Sequence, residues 1–164
     1  MWFLFFRCNL NYFRPLNNFF KKFLLKIIYL KRDSRSVCNS ILSARIKRFG
    51  NINQYYGAKS KSWPKISKIK DPIEQVIRQV HDIKEEIEID LNDIPSKDIF
   101  DLDISLLREK PYEVADKIAD FISIDGIPRN INYPIFVNRD NLSLFDERLE
   151  DKFKDACDKI LNHK

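Results

Sequence analysis

The stretch DPIEQVIRQVHDIKEEIEIDLNDIPSKDIFDLDISL, residues 71–106, decides how the folded part of this chain is read. Asp71-Pro72-Ile73-Glu74 has the form of a helix start, with an acceptor at the cap, Pro at the first helical position and Glu at the third. Ile73, Val76, Ile77, Val80, Ile83 and Ile87 follow at three- and four-residue steps, which predicts one buried stripe. Around Glu86 the pattern changes. Ile87, Ile89 and Leu91 alternate with Glu86, Glu88 and Asp90, predicting a short strand. After a turn over Asp93–Lys97 with Pro95, Phe100, Leu102, Ile104 and Leu106 alternate with Asp101, Asp103 and Ser105 as a second strand.

Downstream, Pro111 opens a helix with the stripe Val114, Ala115, Ile118, Ala119 and Ile122, and Gly126 is its expected stop. Residues 130–138 read as a third strand, demoted to an edge by Pro134. A last helix is expected from about Asn141 to Leu161. Its buried face is Leu142, Phe145, Leu149, Phe153, Ala156 or Cys157, and Ile160, with Glu150–Lys154 and Asp155–Lys159 as exposed pairs. The order α-β-β-α-β-α predicts a small α+β domain over residues 71–164, a short three-stranded sheet with helices packed on one face.

Upstream the chemistry is different. Residues 1–70 hold sixteen Lys/Arg and one carboxylate, Asp33, whereas residues 71–164 hold thirteen Lys/Arg and twenty-three Asp/Glu. Charge asymmetry of this size implies segments with different roles. The first thirty residues include ten aromatics, but Arg7, Arg14, Lys21, Lys22 and Lys26 break every apolar run well short of the roughly 20 residues a membrane span needs. The apolar start precedes the charges, unlike a secretory signal. Residues 18–32 predict a short helix mixing apolar and basic residues. Residues 1–50 thus read as a basic, aromatic-rich extension, and residues 51–70, with Gly57 and Pro64, as a polar linker.

The extension admits several uses. Its basic residues Arg7, Arg14, Lys21, Lys22, Lys26, Lys31, Arg32, Arg35, Arg45, Lys47 and Arg48 suit a mitochondrial presequence, an anionic membrane surface, or RNA with aromatic stacking. They also suit an arm that neutralises its own acidic domain. The leading expectation is a non-enzymatic subunit or assembly factor of a mitochondrial complex, cleaved between about residues 30 and 60, whose 71–164 domain contacts a protein partner. The alternative is a full-length cytoplasmic or peripheral-membrane protein whose arm engages RNA, the ribosome or an anionic membrane.

Catalytic signals are sparse. Three glycines exclude Gly-rich phosphate loops, and no cofactor is expected. Cys8, Cys38 and Cys157 lack metal or disulfide-framework spacing, which makes a reducing compartment the default. His81 and His163 have no triad or ligand partner in sequence. Asn141-Leu142-Ser143 matches a glycosylation sequon but reads as a helix cap. The remaining candidate is a metal-dependent enzyme using Asp101 and Asp103, joined by Glu88 and Asp90 if the two predicted strands pair. Carboxylates sharing one face repel unless a cation or a basic segment sits there, or unless the face is simply solvated.

Overall fold

The computed structural model describes residues 3–5, 26–125 and 147–161, in which helix and strand are mixed. They fall into two compact units, each with its own packing.

One unit comprises residues 3–5, 26–32 and 92–125. Its sheet consists of β1 (Phe3–Phe5), β2 (Lys26–Lys31) and β3 (Ile99–Asp103), side by side in that order. The main pairing is parallel between β2 and β3, from Ile27 opposite Ile99 to Lys31 opposite Asp103. Parallel strands cannot be joined by a tight turn, and residues 32–98 make the crossover. Ile27 of β2 and Leu102 of β3 are buried, and Phe100 packs on Phe121 with ring centroids 5.4 Å apart. The residues expected to be helical up to Arg32 are therefore extended from Lys26 onward. Two isoleucines and a tyrosine favour a pleated surface, and the flanking lysines find carboxylates beside β3. β3 itself ends at Asp103, earlier than the alternation suggested. The Asp103 carboxylate accepts from the Ser105 N–H at 2.7 Å and caps a short helix, α4 (Ile104–Glu109).

Helix α5 (Pro111–Ile122) follows, with Val114 and Ala119 buried as expected. It stops before Gly126. Ser123 takes the left-handed conformation, φ 56°, and its N–H reaches the Asp120 carbonyl at 3.1 Å.

The other unit comprises residues 33–91 and 147–161. It contains α1 (Ser34–Phe49), α2 (Trp63–Ile66), α3 (Pro72–Asn92) and α6 (Glu147–Leu161). Asp71 starts α3 as the sequence predicted, its carboxylate accepting from the Ile73 N–H at 3.1 Å. The predicted strand at 86–91 is instead the last turn and a half of α3. No Gly or Pro interrupts residues 73–92, Lys84 lies 3.9 Å from Glu88, and Ile83, Ile87 and Leu91 satisfy the helical period as well as Ile87, Ile89 and Leu91 satisfy the strand period. Ile89, the residue only the strand reading would bury, is 60% exposed.

The core of this unit joins Cys38 and Leu42 of α1, Ile73, Val76, Ile77 and Val80 of α3, and Cys157 of α6. Phe153, Ala156 and Ile160 pack against it, as predicted for the last helix. The predicted pairs Glu150–Lys154 and Asp155–Lys159 are not among the ion pairs of the described residues. Asp158 is bound by Arg35, and Lys152 by Asp71 at 2.9 Å. Within the described residues, 26–50 supply β2 and α1 and 51–70 include α2, and the compact units part near residues 32 and 91. The predicted strand 130–138, the Gly126 stop, the Asn141–Ser143 cap, Leu142, Phe145, Cys8 and His163 lie outside the described residues.

Candidate functional site

Asp33, the one carboxylate of the first seventy residues, caps α1 by accepting from the Ser36 N–H at 2.7 Å. Partial burial pushes its carboxyl upward, but hydrogen bonds from Ser36 and the Arg35 backbone, with the Arg35 charge, hold it below the usual value. Val37, Cys38, Ile41, Leu42 and Ile46 turn toward the core, and Arg45 falls on the same face. At the far end Gly50, φ 64°, donates to the Ile46 carbonyl at 2.8 Å and stops the helix. Lys47, Arg48 and Phe49 are exposed there.

A buried polar network then lays residues 51–69 against α1 and α3. The Arg45 Nη1 donates to the Ile52 carbonyl at 3.2 Å and to Gln75 Oε1 at 2.9 Å. Gln75 Nε2 donates to the Ile69 carbonyl at 3.4 Å, and Gln79 Nε2 to the carbonyls of Tyr56 at 3.3 Å and Ala58 at 2.6 Å. The Lys61 N–H donates to Glu86 at 2.6 Å, and Ile66 is buried. Gly57, φ 105°, makes this approach possible, because a Cβ there would stand 3.2 Å from Gln79 Nε2.

Arg45 is fully buried and has no carboxylate within ion-pair distance among the described residues. Its Nε and Nη2 have no hydrogen-bond partner among them either. Burial pulls its guanidinium below the ordinary value, and burial raises the Tyr55 hydroxyl against the opposing pull of the Arg45 charge.

The exposed side chains of residues 47–70 are largely basic, and half-buried rings lie beside some of them. Lys47, Arg48, Lys59, Lys61, Lys65, Lys68 and Lys70 are all exposed, and no Asp or Glu occurs between residues 34 and 70. Tyr55 and Trp63 are in ring contact at 4.4 Å, and Phe49 and Tyr56 at 6.3 Å. The Arg48 guanidinium lies 5.5 Å from the Tyr56 ring centroid, and the Lys59 ammonium 5.1 Å from that of Tyr55.

The residues singled out in the sequence separate into groups. Lys26 binds Asp98 at 3.0 Å and the Lys97 carbonyl at 2.9 Å, Lys31 binds Asp101 at 2.7 Å, and Arg35 binds Asp158. Arg32 is exposed, Arg45 is buried, and Lys47 and Arg48 sit on the basic surface. Arg7, Arg14, Lys21 and Lys22 lie outside the described residues. Asp101 and Asp103 are exposed, one paired with Lys31 and the other capping α4. Glu88 and Asp90 lie on a helix, so they join no strand face with them. No group of three or more metal-type side chains gathers among the described residues. Of the two strand carboxylates, Asp101 meets the Lys31 ammonium and Asp103 serves as a helix cap.

Sequence reasoning missed Lys59, Lys61, Lys65, Lys68, Lys70, Tyr55 and Trp63 as a group. The visible signal was basic residues interleaved with rings in YYGAKSKSWPKISKIK, set aside as linker. The two buried cysteines are structural in character: burial raises the Cys38 thiol strongly and the Cys157 thiol to about 11. No helix among the described residues is long and apolar enough to cross a membrane. Comparison with protein-family models, with curated proteins and with solved structures finds no match to this chain.

Proposed function

We propose that this chain is a non-enzymatic interaction protein whose folded body binds an anionic partner through the basic surface of residues 47–70. The observation that carries the reading is the separation of two sets of cations. Lys26, Lys31 and Arg35 meet Asp98, Asp101 and Asp158, so part of the charge asymmetry is internal complementarity. Lys47, Lys65, Lys68 and Lys70 are exposed and have no ion-pair partner among the described residues. Unneutralised cations of one sign attract polyanions and speed their association.

The protein works uncleaved in this reading. Any cut between residues 30 and 60 removes most or all of β2, and a cut beyond residue 42 also takes Cys38 and Leu42 from the core. A mitochondrial address compatible with the fold ends before Lys26, at the expense of the three-residue β1 alone among the described elements.

Retention on immobilised heparin tests the proposal. The intact chain should bind, release with rising salt, and elute earlier when Lys65, Lys68 and Lys70 are changed together to Glu. Unchanged elution of that variant would overturn it.

A further inference from the structure

Resting on that reading, we infer that the anionic partner of the 47–70 surface is single-stranded nucleic acid, with Trp63 and its neighbouring rings as stacking platform and the lysines as phosphate contacts. Charge alone does not choose among polyanions; the rings do. Bases stack on aromatic side chains whatever the sequence, and strand backbones follow cationic grooves. Here two ring pairs, Tyr55–Trp63 and Phe49–Tyr56, the tyrosines and Trp63 half-buried, share residues 47–70 with seven exposed Lys and Arg, two of which sit over ring faces. The backbone that carries them is held from below by Gln75, Gln79 and Arg45, so the platform is set before a ligand arrives. Arg45, with no carboxylate partner among the described residues, adds a positive charge beneath it.

A lipid surface fits less well. The apolar side chains of α1 other than Phe49 are turned toward the core, α2 has only four residues, and Phe49, 46% exposed, rests against the Tyr56 ring. Surface insertion requires an unpartnered apolar face.

The test uses the full-length chain with Trp2→Phe, so that Trp63 is the sole tryptophan. Probes are oligouridine and oligothymidine of about twelve nucleotides, inside the roughly 4–16 that comparable sites occupy. An RNA duplex of the same length and phosphatidylserine vesicles are added for comparison. The single strands should quench Trp63 fluorescence. Their affinity should fall about 50-fold between 50 and 200 mM salt if about four phosphates are neutralised. Trp63→Ala, read by anisotropy of a labelled strand, should weaken binding about tenfold, with Trp63→Phe recovering most of it. Lys65→Gln with Lys68→Gln, both exposed, should flatten the salt dependence without altering the fold. Tighter binding of the duplex or the vesicles, or strand binding indifferent to Trp63→Ala, overturns the inference. Heparin retention without strand binding overturns it while leaving the proposed function standing, and loss of both removes both.

Discussion

Replacing Leu42 by Ala probes whether the basic part of the chain is structural. Leu42 is 0% exposed on the inner face of α1, in one cluster with Cys38, Ile73, Val76, Ile77 and Cys157. Truncating a leucine in such a site removes its transfer free energy and leaves a cavity, and costs about 2–5 kcal/mol. A core drawn from α1, α3 and α6 leaves little room for collapse, so the cost should be about 3 kcal/mol, a large share of the roughly 5–15 kcal/mol that holds a domain together. With a urea dependence of about 2 kcal/mol per molar, the midpoint should fall by about 1.5 M. Urea titration followed by far-ultraviolet circular dichroism reads this directly. Ile89→Ala is the control, since Ile89 is 60% exposed and its loss should shift stability by no more than about 0.5 kcal/mol. A Leu42→Ala shift as small as the control would refute the reasoning, and would return residues 34–49 to the status of a detachable extension.

Gly57→Ala should destabilise more than Gly50→Ala by urea titration. Both adopt positive φ, which costs a side chain about 1–2 kcal/mol, but only at Gly57 does the new Cβ meet Gln79, at 3.2 Å. Ser123→Gly should raise stability by about 1 kcal/mol in thermal melts, because Ser123 holds φ 56°. Cys38 and Cys157 should stay unreactive to a thiol reagent in a Cys8→Ser background until urea unfolds the chain, since both are fully buried with raised thiol pKa values. Asp33 has a folded-state pKa below its ordinary 3.8. Its contribution is therefore present above that value and lost as pH falls through the folded one. Asp33→Asn keeps a cap and should flatten the loss of stability between about pH 4 and pH 2.

The parts of the fold legible in the sequence were those where one local signal stood alone. Asp71-Pro72 starts α3, Pro111 starts α5, and the buried residues of α3, α5 and α6 that belong to their predicted stripes are Ile73, Val76, Ile77, Val80, Val114, Ala119 and Cys157, with Ile83, Ile87, Ile118, Phe153 and Ile160 half-buried. Residues 86–91 were misread because four-residue and two-residue spacings coincide at Ile87 and Leu91, and only the absence of a breaker before Asn92 favours the helix. Helix α1 was overlooked for a different reason. Its serines and arginines hide a stripe of Val37, Cys38, Ile41, Leu42 and Ile46, although Asp33 and Gly50 mark both ends. β2 could not be read locally, since its lysines are matched by carboxylates some seventy residues away. The basic aromatic surface was visible as composition but not as a site. What makes it one is Gln75, Gln79 and Arg45 beneath it, side chains whose partners are backbone carbonyls that no sequence pattern names.

Amide hydrogen exchange on the intact chain tests most directly whether the basic segment is part of the folded body. Amides of residues 38–48 should be protected to the same degree as those of 76–86, because α1 and α3 share one core and open together. Exchange of 38–48 at unfolded-chain rates, beside a protected α3, would contradict the account.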